Sequence, residues 1–260
     1  MKNIIYIVAA IVFSNMFVSC TKIIDANLEE SPALLVIEAQ VSDSAKPSVR
    51  LTRLIDVEKN NDFPAVTGAV ITITDDAGNI TTLQQSSQGT YFGDTVIGVP
   101  GRTYNLRVEL NGQTYTATST MPKKIYIDSL STRNFNIGEK VTFAALNYTD
   151  PVGQGNNYRA ILWHNDTLRT DIFIEDDKYS DGNNREAALF SEDYRLKTGD
   201  RFVIELQCID RAVYDYFSIL AEVDGSSGLA SPANPSANIN GGALGYFSAH
   251  TSHILDMVVE

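Results

Sequence analysis

Short segments of alternating polar and apolar residues, separated by turn-forming residues, limit the fold of this chain more than any other feature. Asn111-Gly112 separates YNLRVEL from QTYTATS, and Asn-Gly between two such segments is typical of a two-residue β-hairpin turn. Asp76-Ala77-Gly78-Asn79 separates two further short strands in AVITITDDAGNITTL. About seven strands with a turn every eight to twelve residues predict an antiparallel β-sandwich, which we place at residues 34–122.

The strand pattern resumes after Pro122-Lys123-Lys124, where we predict a domain boundary. Four more strand-like segments follow: KIYIDSLST, KVTFAALNYT, YRAILWHND and RFVIELQCID. Between the last two lies TDIFIEDDKYSDGNNREAALFSEDY (170–194), a polar stretch that we interpret as a long loop. Residues 123–260 are therefore predicted to form a second β domain.

One helix interrupts the strands of the second domain. In DRAVYDYFSILAEV, four apolar residues follow an i, i+3, i+4, i+7 spacing: Val213, Tyr216, Phe217 and Leu220. Asp210, which precedes them in the sequence, is suited to the N-cap. This predicts a helix near residues 211–223, and SHILDMVV predicts a closing strand. The expected fold is mainly β, with an N-terminal Ig-like or prealbumin-like sandwich and a C-terminal β-sandwich that carries one packed helix.

The N-terminus has the layout of a secretory signal. A basic MKN precedes the ten-residue apolar run IIYIVAAIVF, which is shorter than the roughly 20 residues that span a bilayer. Phe17-Val18-Ser19-Cys20 resembles a bacterial lipobox, although Phe17 replaces the usual Leu. We therefore predict a signal peptide at 1–19, lipidation of Cys20 as the membrane anchor, and a tether at 20–33; an ordinary secretory peptide is the alternative.

Charge and cysteine content exclude several classes of function. A net charge of −12 and a pI near 4.7 oppose binding to nucleic acid, where affinity depends on Lys and Arg. Lipidation of Cys20 leaves Cys208 as a single thiol, so no intramolecular disulfide is expected. Cys208 shares a strand face with Phe202, Ile204 and Leu206, which is typical of a buried apolar cysteine rather than a nucleophile.

Several phrases of the mature chain, taken in order, are similar to those of a known family. They are VTGAVITITDDAGN, GTYF, GRTYNLRVELNGQTYTATSTMP, Ile127-Asp128, Asn157-Tyr158-Arg159, Ile209-Asp210, and the closing Asn-Pro, Asn-Ile, Gly-Gly and Gly-Tyr-Phe. Together they resemble the Bacteroidetes lipoprotein family of domain of unknown function 4249. The resemblance implies an outer-membrane lipoprotein that often accompanies a TonB-dependent transporter, and it implies no catalytic residues.

The acidic segment EDDKYSDGNN is the best candidate for a metal site. Asp176, Asp177 and Asp181 could supply oxygen ligands to Ca²⁺. The EF-hand pattern fails because Tyr179 and Ala188 stand where it needs oxygen ligands. A solvated acidic loop is the alternative, and we predict no bound metal or cofactor. The histidines form no zinc pattern either, because His250 and His253 fall on opposite faces of a strand.

Tyrosines beside the loops are the candidate ligand contacts: Tyr179, Tyr194 and Tyr246. The alternative is that they pack over the loops as small satellite cores. The Gly241-Gly242 pair in SPANPSANINGGALGYFSAH (231–250) follows the predicted helix instead of preceding one, so it does not match a phosphate-binding loop. We interpret this segment as a return loop to the closing strand, in which Gly241 and Gly242 allow unusual backbone angles and Tyr246 and Phe247 re-enter the core.

Four tripeptides resemble the O-glycosylation signal of this bacterial group, in which Asp is followed by Ser or Thr and a small apolar residue. They are DSA (43–45), DTV (94–96), DSL (128–130) and DTL (166–168).

These features predict a binding protein rather than an enzyme. No Gly-x-Ser-x-Gly elbow is present, and no catalytic pair can be chosen among the 32 acidic residues. The expected function is that of a non-catalytic outer-membrane lipoprotein that serves a TonB-dependent transporter as an accessory or ligand-binding partner. The alternative is a structural adhesin or a fimbria-like surface protein, in which exposed strand edges pair with partners.

Overall fold

Strands with one buried and one exposed face build most of the chain. The structure is a computed structural model that describes residues 34–54, 63–225 and 235–260. The predicted signal peptide (1–19), Cys20 and the tether (20–33) lie outside the described residues. The mainly β fold with one packed helix and two sandwiches is confirmed.

The first sandwich consists of two sheets that share one strand. One sheet contains β1 (Leu34–Ser42), β2 (Ser48–Leu54) and β5 (Thr90–Phe92), and the other contains β3 (Val70–Asp75), β6 (Thr103–Leu110), β7 (Gln113–Thr120) and β15 (Ile239–Asn240). The shared strand is β4 (Ile80–Ser87), because residues 80–83 pair with β3 and residues 84–87 pair with β5. Side chains of both sheets form one core, in which Ile37, Tyr104 and Phe247 are fully buried.

The second sandwich packs a three-stranded sheet against a second sheet. The three-stranded sheet has the order β13 (Asn184–Ala188), β9 (Glu139–Thr149) and β8 (Ile127–Ile137). In the facing sheet, β10 (Asn157–His164) lies between β14 (Arg201–Ile209) and two short strands, β11 (Thr167–Leu168) and β12 (Phe173–Asp176). A separate core, with Phe143, Leu146 and Phe202 among its members, fills the space between the sheets.

One strand belongs to both sandwiches. In β16 (Leu244–Val258), residues 244–250 pair in parallel with β1, and residues 251–258 pair antiparallel with β14. The strand is therefore longer than the closing strand that SHILDMVV predicted. The division into domains at 34–122 and 123–260 stays a prediction, but Ile239 and Phe247 pack in the first core although they follow the predicted boundary.

The helix α1 (Arg211–Gly225) begins directly after β14, as predicted. The amide N of Val213 donates to Asp210 Oδ1 at 3.0 Å, so Asp210 is the N-cap and contributes about 1 kcal/mol to the helix. Val213 and Phe217 are buried, and Tyr216 and Leu220 pack beside them. No helix among the described residues is both long and apolar enough to cross a membrane.

Asp210 also joins the helix to the first sandwich. Its Oδ2 accepts a hydrogen bond from Ser119 Oγ at 2.5 Å and another from the amide of Thr120 at 3.2 Å. Ser119 Oγ in turn accepts from the amide of Ala249 in β16 at 2.8 Å. One hydrogen-bond network around Asp210 therefore joins the helix, β7 and β16, which come from distant parts of the sequence.

The interpretation of residues 170–194 as a loop was wrong. This segment contains β12, which pairs with β10, and β13, which pairs with β9. Both are edge strands of four or five residues whose partners lie elsewhere in the sequence, so their own residues carry little of the pattern that identifies a strand.

The local turn and core predictions are confirmed. Asn111 and Gly112 have φ values of 50° and 79°, as a tight hairpin requires, and Leu110 pairs with Gln113 across them. Asp75 Oδ1 accepts hydrogen bonds from the amides of Ala77 and Asn79 and so fixes the other predicted turn. Cys208 is a buried free thiol.

The Gly241-Gly242 segment has the backbone that the sequence predicted. The φ values of the two glycines are 105° and 85°. A Cβ atom on Gly241 would lie 2.8 Å from the carbonyl oxygen of Thr114, which no side chain could accept without a shift of the backbone.

A polar cluster lies where β16 changes partner. Asp43 Oδ1 accepts from the amide of Ser252 at 2.9 Å, and Asp43 Oδ2 lies 3.0 Å from Lys124 Nζ. Ser252 Oγ donates to Glu205, and His250 lies 3.2 Å from the hydroxyl of Ser248. Burial lowers the pKa of His250 to about 4, so its imidazole is neutral in the folded protein at neutral pH.

We expect His250 to make stability depend on pH between 6.5 and about 4. The unfolded state takes up a proton below its ordinary pKa of 6.5, whereas the folded state does so only near pH 4. The stabilising contribution is therefore complete above pH 6.5 and is lost as the pH falls, by about 3 kcal/mol in total. Urea unfolding of wild type and His250→Gln over this range measures it. The assignment is contradicted if the free energy of unfolding of His250→Gln varies with pH as steeply as that of wild type. In that case the pH dependence would change no more in His250→Gln than in the control His253→Gln.

Candidate functional site

A cavity of about 310 Å³ lies inside the second sandwich, at the edge where its two sheets end. One lip is formed by residues 172–175, which include part of β12, and the other by residues 187–190, which begin in β13. The inner wall comes from β9, β10 and β14. Among the described strands no ladder pairs β12 with β13, so the sandwich is open between these two edges.

Small side chains create this space. Four alanines from β10, β13 and α1 line the cavity: Ala160, Ala187, Ala188 and Ala221. Larger residues at these positions would fill the interior, since protein cores are otherwise packed to the density of organic crystals. The rest of the lining is mainly aliphatic or aromatic, and Phe190 at the outer lip is 50% exposed. The apolar wall is therefore exposed to solvent at this lip.

One ion pair crosses the gap between the lips. Glu175 of β12 accepts two hydrogen bonds from Arg185 of β13, from Nε at 3.0 Å and from Nη2 at 3.2 Å. Tyr148 Oη donates to the same carboxylate at 3.0 Å. Burial and the neighbouring Glu175 raise the pKa of Tyr148 well above 10, so the phenol stays protonated.

A second tyrosine lies beside the first. The rings of Tyr148 and Tyr158 meet edge to face with centroids 5.0 Å apart, and both line the cavity. Tyr158 Oη donates a hydrogen bond to Asp150 Oδ1. Burial raises the pKa of Asp150, which is 1% exposed. One end of the cavity is therefore lined by Tyr148, Tyr158 and Glu175, and the remainder is apolar.

None of the three tyrosines predicted as ligand contacts lines this cavity. Tyr179 is 86% exposed on the loop after β12. Tyr194 is buried in the second core, where its hydroxyl donates to the carbonyl oxygen of Leu189. Tyr246 packs against Tyr216 and Phe217. Tyr194 and Tyr246 therefore pack against other side chains, as the alternative interpretation predicted. Ligand binding by Tyr179 stays a prediction.

The predicted metal ligands organise the loops instead. Asp177 Oδ2 accepts from the amide of Asn156 at 2.8 Å, and Asp181 Oδ1 accepts from the amide of Gly153 at 2.7 Å. Asp176 Oδ1 accepts from the amide of Lys178 at 3.3 Å. Within the described residues, no three His, Cys, Asp or Glu side chains are grouped as a metal ion would need.

The hydroxyls of the four predicted glycosylation signals all belong to exposed residues: Ser44, Thr95, Ser129 and Thr167. Their modification stays a prediction.

Sequence reasoning missed the cavity residues because nothing in their local pattern marks them. Ala160 and Ala187 occupy ordinary inward positions of strands, and Glu175 and Arg185 belong to the segment interpreted as a loop. The one available signal was the pair of short apolar runs in that segment, IFI and AALF, which flank the acidic residues.

Solved structures that resemble the chain are distant. A segment of two fibronectin type III domains from chicken tenascin is 11% identical, with a TM-score of 0.23, and the match covers 66% of this chain and 88% of that one. The chicken interferon gamma receptor alpha chain is 9% identical, with a TM-score of 0.21 and coverage of 68% and 89%. The adhesin InvE of Yersinia pseudotuberculosis is 15% identical, with a TM-score of 0.21 and coverage of 67% and 55%.

No curated protein matches the chain. The family described as a domain of unknown function (DUF4249) matches residues 21–254. This match covers almost the whole chain and confirms the domain family that the sequence suggested: the protein belongs to the DUF4249 family.

Proposed function

We propose that this protein is a non-catalytic outer-membrane lipoprotein of Bacteroidetes that binds a small apolar ligand as the accessory partner of a TonB-dependent transporter. The observation that carries the binding role is the alanine-lined cavity between β12 and β13. Its volume of about 310 Å³ is at the lower end of the range for small-molecule sites. The lipobox-like Cys20 and the family resemblance support the location and the partner.

The lining of the cavity favours binding over chemistry. Glu175 is held by Arg185 and Tyr148, and the tyrosine hydroxyls have raised pKa values that keep them protonated. A general base or a nucleophile would need a pKa near the working pH and a free path to a reacting atom. Burial of an apolar ligand, by contrast, needs only the space and the apolar wall, and each buried methylene contributes about 0.8 kcal/mol.

We expect Ala187→Leu to abolish binding of the apolar fluorophore N-phenylnaphthylamine, because the larger side chain occupies the cavity. The full chain in lipid nanodiscs should increase the fluorescence of the probe beyond the level of empty nanodiscs. Ala77→Leu, in an exposed turn of the first sandwich, is the matched control and should bind like wild type. Equal fluorescence for Ala187→Leu and wild type would show that the cavity is not the site.

The adhesin-like alternative rests on a different feature. Among the described strands β8 pairs only with β9, so backbone groups on its other edge are available to another strand, apart from the amide of Ile127, which donates to His253 Nδ1 at 3.0 Å.

Gentle solubilisation from the native host distinguishes the two functions. We expect the protein to co-purify with a barrel transporter of the TonB-dependent class, since the accessory role requires contact in the membrane. A ladder of polymers on a gel, with no transporter in the purified fraction, would favour the alternative and contradict the accessory role.

We expect Cys20→Ala to move the protein from the membrane fraction to the soluble fraction, because the acyl chains on Cys20 are the proposed anchor. Fractionation of host cells, followed by detergent partitioning, measures this change. Cys208→Ala removes a buried thiol instead and should leave the protein with the membrane. Retention of Cys20→Ala in the detergent phase would refute lipid anchoring.

A further inference from the structure

The polar side chains that line the cavity have already used their donors. Among the described lining residues, three have polar side chains: Tyr148, Tyr158 and Glu175. Each tyrosine hydroxyl has a single hydrogen, and these hydrogens are donated to Glu175 and Asp150. Toward a ligand, the two hydroxyl oxygens can therefore accept hydrogen bonds but not donate them.

Glu175 adds a further acceptor and a negative charge. A carboxylate has about four acceptor positions, of which Tyr148 and the two Arg185 nitrogens occupy three. Among the described residues that line the cavity, Glu175 alone is charged, and Arg185 offsets this charge from outside the lining. A bound carboxylate would therefore meet acceptor oxygens and no donor at this end, whereas a hydroxyl or ammonium group would meet acceptors for its hydrogens.

We propose that the cavity takes an apolar molecule that ends in a hydrogen-bond donor, and that a cationic amine is preferred to a neutral alcohol and to a carboxylate. This inference rests on the proposed binding function and specifies its ligand class. The apolar body lies among the alanines, and the amine lies at the end formed by Tyr148, Tyr158 and Glu175. Hydrogen bonds to charged groups are stronger than those between neutral groups, which gives the amine its advantage over the alcohol.

Calorimetric titration of the full chain in nanodiscs with octylamine, octanol and octanoate tests this order. Nanodiscs of the same lipid that carry Ala187→Leu provide the blank, because they subtract partition of the probes into lipid. We expect octylamine to bind at least about tenfold more tightly than octanoate, the factor that corresponds to one charge-assisted hydrogen bond. The affinity for octanol should lie between the affinities for octylamine and octanoate.

Two variants test whether the carboxylate of Glu175 causes the preference for the amine. In Glu175→Gln the carboxylate is replaced by an amide, and we expect the preference for octylamine over octanol to be lost. Arg185→Gln breaks the same ion pair but leaves the carboxylate in place, so octylamine should remain the tighter ligand.

The outcomes separate the two proposals. Octanoate bound as tightly as octylamine, or an unchanged amine preference in Glu175→Gln, would overturn the ligand class while leaving the binding function intact. If none of the three probes differs between wild type and the Ala187→Leu blank, the binding function fails, and the ligand class fails with it.

Discussion

The structure depends on β16, the strand that belongs to both sandwiches. Its first half completes a sheet of the first sandwich, and its second half completes a sheet of the second, so a single rigid strand fixes both. The parallel pairing with β1 requires glycine at one point, because a Cβ atom on Gly245 would lie 2.1 Å from the carbonyl oxygen of Ile37. Where the strand changes partner, Asp43 accepts a hydrogen bond from the amide of Ser252 and forms an ion pair with Lys124.

The cavity follows from the same arrangement. Since β14 is held by β16 on one side, β10 lies toward the outside of the sheet, and among the described strands its outer edge pairs with the short strands β11 and β12. The facing sheet likewise ends in a short strand, β13. The sandwich is therefore well closed along β16 and open along its other edge, where the Glu175–Arg185 pair crosses the gap.

The sequence predicted the features that depend on neighbouring residues. Asn111-Gly112, the Asp75 turn, the Asp210 cap and the buried face around Cys208 each need only a few consecutive residues, and each was found. The features that were missed require pairing between distant segments. FIED and NREAA are strands only because β10 and β9 lie beside them, and Ala160 becomes a cavity residue only when Ala187 faces it across the sandwich.

The pairing of β1 with β16 also has a consequence for the order of folding. Val36 and Leu244 are neighbours in the sheet, so this contact closes nearly all of the described chain into one loop. Loop closure on this scale has a high entropic cost, and contacts of such long sequence separation are associated with slow folding. Until β16 arrives, Ile37 and its neighbours on β1 have no partner strand on that side. Chains in which β16 is not yet in place would thus expose an unpaired, apolar edge, through which they could associate with one another.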